Sequence, residues 1–147
     1  MDKTHLIGPK LKILNNLTEK NLNNTAKKYF PELTGTQIAI LDYISSHPKI
    51  TQRELEKVFF ISHPTLRRII LSLTQKGYIQ NRRDSKDKRQ VVLSLDEKGK
   101  QFITNNQVKM DENLLQTEKM ITHSLSKEEI KQFNELLKKA IINFPQE

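Results

Sequence analysis

Apolar residues recur at steps of three to five along the first segment, at Ile7, Leu11, Leu14, Leu17, Leu22 and Ala26. This spacing sets them on one face of an amphipathic helix over Thr4 to Lys28, and Pro31 closes it. Thr34 and Gln37 have capping-box spacing, and Ile38, Leu41 and Ile44 mark the buried face of a second helix that Pro48 ends near His47. Thr51 and Glu54 repeat the box before Leu55 and Val58, predicting a third helix of about two turns over Gln52 to Phe59. Ser62 reads as the N-cap of a fourth, with Pro64 in its first turn, an apolar stripe of Leu66, Ile69, Ile70 and Leu73, and Gly77 as its stop.

Past Gly77 the period changes. Two short β-prone runs, Tyr78 to Arg82 and Gln90 to Leu95, flank the polar stretch from Arg83 to Arg89, which predicts a hairpin with a charged tip. Asp96 is placed as the cap of a long fifth helix reaching about Thr122. Ser126 with Glu129 opens a sixth that carries Ile130, Phe133, Leu137, Ile141 and Phe144. Gly99 falls inside the first turns of the fifth helix, where it costs roughly 1 kcal/mol relative to alanine, so packing or a bend is expected there. The fold class that emerges is mainly α with a small β-hairpin wing.

Charge changes the picture. Of the formal net +8 over 147 residues, +7 lies between Lys49 and Gln101, where thirteen bases face six acids. An anionic partner is therefore expected for the middle of the chain and a different task for its ends. There is no cysteine, which excludes disulfides, thiolate metal sites and a cysteine nucleophile. The N-terminal segment has neither the continuous apolar run of a signal peptide nor that of a membrane span, so a cytoplasmic protein with no membrane partner is expected.

Two short helices joined by Phe60 and Ile61, then a hairpin with a basic tip, is the element order of a winged helix-turn-helix, which presents one helix to the major groove of DNA. The fourth helix would be that helix, offering Ser62, His63, Thr65, Arg67 and Arg68 to bases and phosphates. Arginine grips guanine with a bidentate fork, so Arg67 and Arg68 would carry the sequence readout. An Arg-Arg pair alone reads as a solvated helix face; the adjoining wing argues for contact. At its tip Arg89 suits a narrow minor groove, with Asp87 holding the guanidinium and Lys86 and Lys88 beside phosphates.

The ordered set Leu33-Thr34-x-x-Gln37-x-x-x-Leu41, Thr51-Gln52-x-Glu54-Leu55, Ser62-x-x-Thr65-Leu66-x-Arg68, Leu73-x-x-x-Gly77-Tyr78-Ile79 and Arg83-x-x-x-Asp87-x-Arg89, leading to Leu95-x-x-x-Gly99, resembles the multiple antibiotic resistance regulator (MarR) family of bacterial winged-helix repressors. The resemblance spans nearly the whole chain, read as a single MarR-type domain over 1–147. It implies a winged lobe over 34–95 and a helical dimerisation region over 1–30 and 96–147. It further implies an obligate homodimer acting on a pseudo-palindromic operator as a transcriptional repressor. The wing motif carries over to Asp87 and Arg89, and the recognition-helix pattern to Ser62, Thr65 and Arg68, with His63 and Arg67 at variable positions. Phe60 departs from the family where many members have glycine, and Asp96 stands for the usual threonine cap. Leu71 takes an often acidic position and either packs inward or faces another protein. The apolar end residues would be covered by a second copy or by intrachain core.

The resemblance also implies relief by a small, often anionic aromatic effector between the dimerisation helices and the lobe, for which Tyr29, Tyr43 and His47 are the candidates. A tyrosine or histidine near a helix end is more often an ordinary packing residue, so the packing reading outweighs the pocket at these positions. His5, His47, His63 and His123 show no metal-ligand spacing, and no nucleophile elbow or phosphate-binding glycine loop occurs; no metal, cofactor or catalysis is expected. Two other readings are a winged-helix module that docks to protein, and an RNA-binding winged helix. The second is disfavoured because Phe59, Phe60 and Tyr78 are expected to be buried.

Overall fold

Three Ser/Thr-x-x-Gln/Glu sequences start three of the helices. Thr34, Thr51 and Ser126 each accept the backbone N–H three residues on, while Gln37, Glu54 and Glu129 reach back to the cap N–H. In the computed structural model, which describes residues 1–145, the order is α1 (Ile7–Tyr29), α2 (Gly35–Ser46), β1 (Ile50–Thr51), α3 (Gln52–Phe59), α4 (His63–Gln75), β2 (Ile79–Arg83), β3 (Val91–Leu95), α5 (Glu97–Thr122) and α6 (Lys127–Ile142). Asp96 caps α5 by accepting the N–H of Glu97 at 2.9 Å. Ser62 occupies the N-cap of α4 without capping it: its hydroxyl turns to Thr65 Oγ1 at 2.9 Å instead of accepting a backbone N–H.

The hairpin is part of a three-stranded antiparallel sheet in the order β1-β3-β2, with Ile79 opposite Leu95, Asn81 opposite Leu93, and Ile50 opposite Leu93 on the other side. β1 was not foreseen; at two residues it has no period to read. Around the sheet, Ile40, Leu41 and Ile44 of α2, Leu55 of α3, and Leu66, Ile70 and Leu73 of α4 close a core with Ile79 and Leu93, all 3% exposed or less. Burying each such side chain stabilises by roughly 1.5–3 kcal/mol, so α3 and α4 are held at a set angle with their polar faces outward.

The joint between sheet and α5 explains Gly99. A Cβ there would lie 2.1 Å from the carbonyl oxygen of Tyr78, which already accepts the N–H of Asp96 at 2.9 Å. Only glycine lets the first turn of α5 sit this close to the start of β2. α5 then leaves the lobe and packs along α1, where Asn21 Nδ2 donates to the buried Thr117 hydroxyl at 2.8 Å. No residue of α6 is buried, and Ile7, Leu17, Leu136 and Ile142 are each at least 60% exposed. No helix among the described residues is long and apolar enough to cross a membrane.

Candidate nucleic-acid interface

The turn from α3 to α4 depends on Phe60, which adopts a left-handed conformation (φ 51°, ψ 39°) at the C-cap of α3. The residue that departs from the glycine pattern thus keeps the backbone shape glycine serves, at a steric cost. It also corrects the expectation of burial: the Phe60 ring is 65% exposed, because the left-handed backbone directs it away from the core that Leu55 and Leu66 fill. Tyr78 is buried as expected and Phe59 is half-buried.

With Leu66, Ile70 and Leu73 inward, α4 exposes His63, Pro64, Arg67, Arg68, Leu71 and Gln75. Leu71 faces outward at 47% exposure, one turn beyond the arginines. Thr65 is half-buried beside Ser62. His63 does not stand free: its Nδ1 lies 2.5 Å from Glu56 Oε1 and 3.3 Å from Gln52 Nε2, both on α3. The imidazole is therefore aimed by the helix that precedes it.

In the wing, the backbone N–H of Asp84 donates to the carbonyl of Gln90 at 3.0 Å, and Arg83 Nη1 donates to the carbonyl of Lys88 at 2.7 Å. At the tip Asp87 Oδ1 accepts both from the backbone N–H of Arg89 at 3.1 Å and from its Nε at 3.2 Å. The Arg89 side chain is 92% exposed, so the pair adds little stability and its effect is to direct the guanidinium. Lys86 and Lys88 are exposed on the same loop.

Folding brings part of this set together. His63, Asp87 and Arg89 line one cleft between the start of α4 and the wing, joined by Gln52, Arg53 and Glu56 from α3. Arg67, Arg68, Lys86 and Lys88 lie outside that cleft. The three α3 residues were missed because a capping box explains the start of that helix without a second role. Arg53 was visible only as part of the basic excess.

Between α1, α2 and α5 lies a cavity of about 210 Å³, with Phe30, Ile38, Met110 and Leu114 among its walls. Of the three effector candidates, Tyr43 lines it. His47 stacks on the outer side of Tyr43, with ring centroids 3.9 Å apart, and Tyr29 lies outside the lining, half-exposed beneath Lys28 and Lys109. Among the described residues no three His, Cys, Asp or Glu side chains gather as metal ligands.

Helix, turn, recognition-type helix and three-stranded wing together define a winged helix-turn-helix protein. Residues 32–90 match the MarR family model. A transcription regulator MarR from Oenococcus oeni PSU-1 is 31% identical and superposes with a TM-score of 0.71 over 93% of this chain and 99% of that one. The chain belongs to the MarR family. It is also 32% identical over 81 residues to the HTH-type transcriptional regulator SarZ of Staphylococcus aureus, a match covering 55% of this chain and 53% of SarZ, so it spans about half the length of that relative. A mutant MarR from E. coli complexed with operator DNA shares the fold, with a TM-score of 0.79 at 24% identity over 94% of this chain and 95% of that one.

Proposed function

We propose that this protein is a sequence-specific double-stranded DNA-binding transcriptional regulator, a repressor that acts in the cytoplasm as a homodimer on a pseudo-palindromic operator. The observation that carries this reading is the outward pair Arg67 and Arg68 on α4 beside a wing whose Arg89 is oriented by Asp87, within a segment that holds +7 of the net charge. A MarR relative held on operator DNA with the same fold supports it. In this reading residues 34–95 bind DNA: Ser62, His63, Thr65, Arg67 and Arg68 reach the major groove, and Lys86, Asp87, Lys88 and Arg89 form the minor-groove arm. The reading involves no catalytic step.

The ends, 1–30 and 96–147, form the dimerisation region; residues 146–147 lie outside the described part. Support comes from α6, whose apolar face has Ile130, Phe133 and Leu137 only half-buried, with Leu136 exposed beside them. So much apolar surface on one helix calls for a cover. A small molecule in the cavity between α1, α2 and α5 would then bias the lobe against the dimer region and so alter operator affinity.

Selection of bound sequences from random duplex DNA at a stated salt concentration tests the reading. A pseudo-palindrome with half-sites about one helical turn apart is expected, as is a dimeric mass in analytical ultracentrifugation. No enrichment over random sequence would instead point to a winged-helix module that docks to protein, or to a regulator already held off DNA by an effector.

A further inference from the structure

The sign of charge inside the cavity between α1, α2 and α5 is opposite to that of the molecule. Asp42 is the charged residue in its lining, and no lysine, arginine or histidine joins it. The main-chain carbonyl of Asp42 accepts from Ser45 and Ser46, but no side chain among the described residues pairs with its carboxylate. From α5, Asn113 lines the same cavity, and its Oδ1 is buried without a hydrogen-bond partner. An orphaned acceptor of this kind is costly, and a half-turn about the broad χ2 torsion exchanges its oxygen and nitrogen. Tyr43 and Ser46 bring hydroxyls to the lining, but the Asp42 carboxylate has no counter-charge there.

We propose that this cavity binds a small aromatic amine in its ammonium form. The ring would lie against Phe30, Ile38, Met110 and Leu114, with the ammonium donating to the Asp42 carboxylate. About 210 Å³ accommodates one ring with a short side chain, since benzene enters an apolar cavity of roughly 150 Å³. An anionic aromatic, the class implied by the family resemblance, would set its carboxylate beside Asp42 with no cation in the lining, a desolvated like-charge contact. The inference deepens the effector reading of the same site and gives its ligand a class.

Isothermal titration of the full chain at neutral pH and fixed ionic strength, using 2-phenylethylammonium, 2-phenylethanol and 3-phenylpropionate, decides the matter. The ammonium is expected to bind roughly tenfold tighter than the other two, as a charge-assisted pair would give, even though the net charge favours the anion. Asp42→Asn should bring the three within about threefold of one another. Backbone amide shifts in the wild-type protein should centre on Asp42, Met110 and Asn113, a readout that holds whether or not the variant folds. Tighter binding of phenylpropionate in this cavity overturns the amine class and leaves the effector reading standing. No binding of any probe at millimolar concentration, or ammonium shifts centred elsewhere, overturns the proposal. Amine binding in the cavity without any change in operator affinity upholds the site and removes its effector role.

Discussion

A side chain at Gly99 would bring its Cβ to 2.1 Å from the carbonyl oxygen of Tyr78, and that oxygen is part of the bond that joins β2 to the start of α5. The obstacle is backbone held by a hydrogen bond to Asp96, so it cannot swing aside as a flexible side chain would. Gly99→Ala gains roughly 1 kcal/mol in helix propensity but forces this joint apart. We expect a net loss of about 2 kcal/mol or more in urea denaturation, within the range of overpacked sites. Unchanged stability would mean that the joint is looser than the geometry indicates.

Phe60 presents the converse case. Its left-handed backbone is strained for a residue with a Cβ, and its exposed ring recovers little by burial. Phe60→Gly should raise stability by about 1 kcal/mol, with a matching rise in Tm. Phe60→Ala keeps the strain and should show no such gain, which separates a backbone effect from loss of the ring.

Asp87 and Arg89 predict different binding phenotypes in the DNA reading. Arg89→Ala should weaken duplex binding and reduce the slope of log affinity against log salt by about one. Asp87→Asn removes a negative charge from the tip and frees the guanidinium. Nonspecific binding should therefore tighten while discrimination between operator and random duplex narrows, as read by competition titration. Arg67→Ala or Arg68→Ala should instead relax preference at particular base pairs, each by about 1–3 kcal/mol. Wild-type behaviour in all of these would remove the assigned interface.

Tyr78 makes stability fall at alkaline pH. Burial first, then the nearby Glu32 carboxylate, which accepts its hydroxyl at 3.3 Å, raise its pKa above the ordinary tyrosine value of 10.0. The folded state therefore favours the neutral phenol. Its contribution is fully present below the unfolded value and is lost as pH rises through the raised one. Thermal melts across the alkaline range should show this loss in the wild type and a smaller one in Tyr78→Phe. At neutral pH the variant should lose about 1 kcal/mol or less, as expected for one long hydrogen bond.

Local signals were legible where the physics is local. The boxes at Thr34, Thr51 and Ser126 join groups three residues apart, so the helix starts can be read from spacing alone. The wing pair of Asp87 with Arg89 is two residues apart and equally readable. Ser62 shows the limit, since whether its hydroxyl meets a backbone N–H or Thr65 depends on a rotamer that residue type does not set. Phe60 shows another: a large aromatic suggests burial, but the turn demands a left-handed backbone, and that demand prevails.

By itself, then, the sequence determined the helical segments, the capping boxes at Thr34, Thr51 and Ser126, the hairpin and the concentration of positive charge between Lys49 and Gln101, because each follows from neighbours along the chain. Only the tertiary structure decided that Ile50 pairs with Leu93, that His63 is aimed by Glu56, and that α3 lends Arg53 to the cleft facing the wing. It alone decided why Gly99 is a glycine and which sign of charge lines the cavity. Those outcomes rest on pairs such as Asp42 and Asn113, brought to one wall by packing α2 against α5, and no period along the chain encodes a distance between residues so far apart.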